Sequence, residues 1–241
     1  MVEFIYSIDD SDYQCWQAEL LDWSVRRSGM TCRITRLTAT APDAETYRCL
    51  NRLWSVVHQW QPSDAQTVVF LDPDMLFVRP LNVASARGAL IGQPYGYAND
   101  LPWCPLVFHR DDVKRWAEVC LPLARAIHSA GGGWISEIWA GAIGANLLGL
   151  RIERKDLAAF NCEPELADRS IIHYCYDHGG FFKQRYRSGD YVNDSAGTAV
   201  NRQLAALLNE CFGCGRTGSD RGQGAAGLAE HVDTTGAAGR P

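Results

Sequence analysis

An uncharged run, Val68-Val69-Phe70-Leu71, lies between Thr67 and Asp72 and constrains the fold more than any other stretch of the chain. An unbroken set of β-branched and aromatic residues describes a strand buried on both faces, as in a parallel sheet covered by helices. The strand stops at Asp72-Pro73-Asp74, so two carboxylates stand at its C-terminal end. That is the edge at which open α/β sheets bind their ligands. Two hard oxygen donors there suit Mn²⁺ or Mg²⁺, which keeps waters of its own and bridges to phosphate oxygens. Asp-Pro is also a common turn pair, so a simple polar turn explains the segment equally well.

The surrounding sequence supplies the rest of an α/β domain. Val2 to Ile8 has the character of a strand, and Asp12 can cap a helix carrying Trp16, Leu20 and Trp23 at helical spacing, ending near Gly29. Cys32 to Leu37 predicts a second strand. Leu50, Leu53, Trp54 and Val57 mark one face of a second helix. The opening is therefore β-α-β-α-β, the pattern of a parallel sheet. Further on, Ala89 to Gln93 and Leu106 to Phe108 predict short strands. Asp111 to Ser129 predicts a helix that Pro122 should kink or divide. Gly131-Gly132-Gly133 suggests a hinge-like loop before an apolar helix from about Ile135 to Leu148, in which Gly141 and Gly144 admit close neighbours. Arg151 to Arg154 and Ser170 to Tyr176 are candidate late strands.

Composition narrows the function. Of 241 residues, 46% are hydrophobic and 21% charged, which is ordinary for one globular domain. The net charge of −5 is spread without a basic block, which argues against a nucleic-acid surface. No apolar run is long enough to span a membrane. The N-terminus enters a strand directly, with no basic leader, so a cytoplasmic protein is expected. The nine cysteines are then expected as reduced thiols. Cys211-Phe212-Gly213-Cys214 lacks partner ligands at zinc spacing nearby. Residues 213–241 hold eight glycines and few large apolar side chains. A domain over residues 1–212 followed by a flexible tail over 213–241 is the expected division.

A late segment bears on the paired aspartates. Ile171-Ile172-His173-Tyr174-Cys175-Tyr176 starts as a strand, and Asp177-His178-Gly179-Gly180-Phe181-Phe182-Lys183 ends it in a glycine turn with a lysine. A histidine leaving a strand can complete an Asp-x-Asp metal site, and turn N–H groups with a lysine can hold diphosphate oxygens. Taken singly, His173 also fits a hydrogen-bonded core histidine, and Lys183 a solvated charge.

Together and in this order these features resemble a GT-A glycosyltransferase. Tyr13-Gln14-Cys15-Trp16-Gln17 with Leu20-Leu21 and Thr35-Arg36-Leu37 is similar to the opening of the plant peptidyl hydroxyproline O-arabinosyltransferases and peptidyl serine galactosyltransferases. Asp72 to Leu81 resembles their metal-site segment. Gly133-Trp134-Ile135-Ser136-Glu137-Ile138-Trp139 through Leu150, and Ile172 to Tyr176, resemble their later motifs. The likeness extends roughly from residue 3 to residue 187.

It implies a GT-A fold, a single Rossmann-like domain with a mostly parallel sheet flanked by helices. It implies a nucleotide-sugar donor, UDP-linked, and a hydroxyl acceptor on a peptide or small molecule. Asp72, Asp74 and His173 would be the Mn²⁺ or Mg²⁺ ligands, with Asp72 also facing the donor. Gly180 and Lys183 would hold the diphosphate, and Ile5, Tyr6 and Ser7 would lie by the uridine. Glu137 would contact the acceptor hydroxyl or the reacting sugar, although an acid in a helix's first turn is also explained by the helix dipole. Trp103 and Tyr95 could form a stacking wall for a sugar. Two alternatives stand beside this one. A haloacid-dehalogenase-type phosphatase also places Asp-x-Asp after an apolar strand, and Gly189-Asp190-Tyr191-Val192-Asn193-Asp194 matches its second metal motif. A nucleotide-sugar-binding protein without catalysis would share the fold.

Overall fold

The structure, a computed structural model, describes residues 1–95, 101–175, 181, 183 and 197–212. Residues 189–194, Gly180 and the tail over 213–241 lie outside the described residues. The chain opens β1 (Val2–Ser7), α1 (Asp12–Arg27), β2 (Cys32–Leu37), α2 (Leu50–His58), β3 (Thr67–Leu71) and β4 (Met75–Phe77). β1 pairs in parallel with both β2 and β3, Phe4 lying opposite Ile34 on one side and Val69 on the other. Val68 to Leu71 are fully buried, as a strand covered on both faces must be. The cap of α1 is Ser11, not Asp12. The Ser11 hydroxyl accepts the Gln14 N–H, and Asp12 falls in the first turn, where the helix dipole favours an acid.

The main sheet is completed by β5 (Ala89–Tyr95), β6 (Leu101–His109) and β7 (Arg151–Arg154), giving the order β2-β1-β3-β6-β5-β7. β6 runs antiparallel to both of its neighbours, while β7 is parallel to β5. The sheet is thus mostly parallel. α3 (Arg110–Ile127) passes through Pro122 as one helix and is not divided. Pro122 and Glu118, whose carbonyl loses its partner to the proline, are both exposed, so water can take that bond. α4 (Ser136–Leu147) packs tightly on it. A Cβ on Gly144 would come within 2.4 Å of Cys120 Sγ, and one on Gly141 within 2.9 Å of Trp103. The preceding glycines are not an open hinge. They wind through a π-type turn over His128–Gly132 and a 3₁₀ turn over Gly133–Ile135, with Gly131 and Gly133 at positive φ.

A second, three-stranded sheet decides where the site forms. Its order is β4-β9-β8, from β8 (Ala158–Phe160) and β9 (Ile171–His173), with β4 antiparallel to β9 and β8 parallel to it. α5 (Ala199–Phe212) covers it. Val200, Leu204 and Leu208 join Leu20, Leu76, Ile172 and Tyr174 in an apolar cluster separate from the main core. Among the described residues no helix is long and apolar enough to cross a membrane.

Candidate active site

The small sheet's register assembles the acidic site. β3 delivers Asp72 and Asp74 just beyond its last residue, and the chain then enters β4. Met75 pairs with His173, and Tyr174 N–H donates to the Asp74 carbonyl at 3.0 Å. A residue about a hundred positions downstream is thereby fixed beside the aspartates. His173 Nε2 stands 3.2 Å from Asp74 Oδ1 and 3.8 Å from Asp72 Oδ2. One ligand atom from each of the three lies within 4.8 Å of the others. That is on the order of the ligand spacing around a single cation with ~2.1 Å bonds. Two carboxylates and one imidazole form a donor set that could hold a divalent cation.

Charge is concentrated here. Lys183 Nζ is 2.5 Å from Asp74 Oδ2. Burial would raise the Asp74 carboxyl, but Lys183 and His173 outweigh it and hold it well below the usual carboxylate range. The same pairing works in reverse on Lys183, whose burial is outweighed by Asp74, so the ammonium keeps its proton.

Arg52, on the first turn of α2, joins this cluster, and sequence patterning missed it. Its guanidinium bonds Asp72 on one side and lies 3.3 Å from Glu137 Oε1 on the other. Burial opposes its charge, yet Asp72 and Glu137 together hold it firmly protonated. Glu137, in the first turn of α4, is itself buried, and its Oε2 has no hydrogen-bond partner among the described residues. Burial pushes its carboxyl up to about 8, against the pull of Arg52. Its backbone is held as well. Tyr47 Oη accepts the Glu137 N–H at 3.0 Å and donates to the Trp134 carbonyl at 2.8 Å, tying the glycine turns to the segment before α2. No side chain caps α4. Glu137 therefore points into the acidic site and does not turn back to serve its own helix.

A pocket of about 100 Å³ opens beside these groups, lined in part by Ser7, Asp9, Asn51, Arg52 and Pro73. Of the three residues at the end of β1, Ser7 borders it. Ile5 and Tyr6 have core side chains, and the Tyr6 hydroxyl donates to Asp22 at 2.6 Å. The aromatic wall expected from Trp103 and Tyr95 does not form. Both rings are buried, Trp103 against Trp116 and Tyr95 against His173 and Phe160, because β5 and β6 extend further than their apolar runs suggested. The structure thus brings together Asp72, Asp74, His173, Lys183 and, through Arg52, Glu137.

This topology, a parallel β-α-β-α-β half whose third strand feeds an Asp-x-Asp segment into a small second sheet, is the GT-A fold. Two structures of the galactosyltransferase LgtC share it. One, in complex with donor and acceptor sugar analogs, superposes with a TM-score of 0.56 at 11% identity, over 86% of this chain and 95% of that one. The other, an active-site mutant, gives the same TM-score and identity over 88% and 95%. In sequence, the chain is similar to a peptidyl serine alpha-galactosyltransferase of Arabidopsis thaliana, 24% identical over 80% of this chain. It spans 32% of that relative's length. No family model matches the chain.

Proposed function

We propose that the chain is a metal-dependent glycosyltransferase that moves a pentose or hexose from a UDP-sugar to a hydroxyl on a peptide, an amino-acid derivative or a natural product. The observation that carries this reading is the convergence of Asp72, Asp74 and His173 at the C-terminal edge of β3 within a GT-A fold. Those three residues would hold Mn²⁺ or Mg²⁺, which when bound supplies positive charge to offset that of the departing diphosphate. Lys183 stands beside Asp74 and adds a second cation for the same oxygens. The pocket between Ser7 and Pro73 is assigned to the nucleoside end of the donor, and Gly180 to the diphosphate.

Glu137 is assigned to the transferred sugar or the acceptor. With its carboxyl pushed up to about 8, it is largely protonated at neutral pH and can donate a hydrogen bond to a hydroxyl as well as accept one. Arg52 keeps it aimed, and the buried setting excludes water that would otherwise compete for the donor. Retention of anomeric configuration, by attack on the face from which the diphosphate leaves, is the stereochemistry proposed. A peptide-type acceptor is favoured by the likeness to a protein named for peptidyl serine.

The test is a screen of UDP-sugars with Mn²⁺ against serine peptides, hydroxyproline peptides and simple sugars, read by mass spectrometry. Transfer to a peptide hydroxyl is expected. Transfer confined to simple sugars would reject the peptide acceptor. Binding of UDP-sugar with neither transfer nor hydrolysis would identify a binding protein instead of an enzyme.

A further inference from the structure

We propose that Tyr95 is a positioning residue for the metal centre, its hydroxyl holding His173 in the tautomer whose Nε2 lone pair faces Asp72 and Asp74. The inference rests on the metal-dependent reading above. Tyr95 belongs to the main sheet and His173 to the small one, and the two meet where the sheets adjoin. Tyr95 Oη lies 2.6 Å from the Cys104 carbonyl oxygen and 2.9 Å from His173 Nδ1. A carbonyl oxygen can only accept, so the single phenolic proton is committed to Cys104. The second contact is then a hydrogen bond only if Nδ1 carries the hydrogen and the phenolic oxygen accepts it. A neutral imidazole protonated at Nδ1 keeps its lone pair on Nε2. Nε2 is the atom facing both carboxylates, at 3.2 and 3.8 Å, and the proton it shares with Asp74 is the one a bound cation would displace to reach the lone pair.

The surroundings keep the ring in that pose. Phe160 stacks on the His173 ring at 5.6 Å and 28°, and the Tyr95 ring meets it edge-on at 6.0 Å and 89°. Tyr95 is fully buried and His173 nearly so, which leaves little room for water to replace the phenol. Two residues earlier on the same face of β5, Gln93 Oε1 accepts the N–H groups of Leu157 and Ala158 at 2.7 and 2.9 Å. One strand of the main sheet thus anchors the entry to β8 through Gln93 and the ligand at the end of β9 through Tyr95. Groups that orient a ligating histidine commonly change metal affinity by about 10–100-fold when removed.

The test compares wild type with Tyr95→Phe, which deletes the hydroxyl and keeps the ring. Mn²⁺ is titrated calorimetrically with and without UDP, and thermal melting is measured alongside. Mn²⁺ affinity should fall about 10–100-fold in Tyr95→Phe while the melting temperature stays near that of wild type. Equal Mn²⁺ affinity in the two proteins overturns the proposal. Wild type that binds no Mn²⁺ in either condition rejects the metal reading itself, and this inference with it. Should Tyr95→Phe fail to fold, ¹⁵N-edited NMR of wild-type His173 in saturating Mg²⁺ and UDP decides alone. A slowly exchanging proton on Nδ1 is expected, and a proton on Nε2 alone overturns the assignment.

Discussion

Two glutamates are buried at opposite ends of this molecule's parallel sheet, and their surroundings differ in kind. Glu3 lies near the start of β1, is 0% exposed, and is surrounded by donors. Thr35 Oγ1 and Ser63 Oγ each donate to it at 2.7 Å, Trp60 Nε1 donates at 3.4 Å, and Arg33 stands at 3.5 Å. Glu137, 2% exposed, has Arg52 at 3.3 Å, the Cys49 thiol nearby, and one oxygen with no hydrogen-bond partner among the described residues. A buried carboxylate with a full set of donors fixes β1 to β2 and to the segment after α2. A buried carboxylate left short of donors weakens the fold and keeps the capacity to bond something that arrives later. The difference separates the end of the sheet that is fully tied into the fold from the end where the candidate site lies.

The largest effect that can break this contrast is catalytic. Glu137→Gln should lower transfer by about 10²–10⁴-fold, the usual worth of a positioned acid or base, while UDP affinity is retained. Unchanged turnover would remove Glu137 from the reaction. Next comes Glu3→Ala, which removes the shared acceptor of the half-buried Thr35 and Ser63 hydroxyls and the buried Trp60 indole and should cost roughly 3 kcal/mol. Read as melting temperature, that is a drop of about 6–12 °C for a domain of this size. Activity per folded molecule should not change, and a loss of turnover at full folding would contradict the structural assignment.

The last effect, the smallest per unit of pH, is a pH dependence. A carboxyl held at about 8 in the folded protein, against an ordinary 4.5, binds more protons folded than unfolded between those values. Folding is therefore opposed increasingly as pH rises from about 4.5 to about 8. Each unit is worth at most about 1.4 kcal/mol. Glu137→Gln removes this term, so its melting temperature should gain on wild type steadily from pH 5 to pH 8. A gap that stays constant with pH would mean that Glu137 is not held protonated.

What the sequence disclosed follows from how local each signal is. The strand over residues 68–71, its flanking helices and the two aspartates were legible because an unbroken apolar run, a helical period and a paired acid are all short-range patterns. Gly141 and Gly144 were legible as close-packing positions for the same reason. β4 and β8 were not, because three residues such as Met75–Phe77 are too few to display a period of two. α5 also went unread. Arg52 had no local mark, since an arginine in a helix's first turn normally faces water and only the tertiary fold sets it between Asp72 and Glu137. Tyr95 was read as a ligand wall because an aromatic near a site looks alike from sequence whether it faces the ligand or supports a ligating side chain. Pro122 misled because the break it causes depends on whether the freed carbonyl can find a partner, and here Pro122 and Glu118 are both exposed.

The central claim is that the Asp72, Asp74 and His173 group couples a divalent cation to the donor. Its most direct test is calorimetric titration of UDP into wild type and Asp74→Ala, each with and without Mn²⁺. In wild type, Mn²⁺ should tighten UDP binding by tenfold or more, about 1.4 kcal/mol, and in Asp74→Ala the two titrations should coincide. Equal UDP affinity with and without Mn²⁺ in wild type would contradict the account.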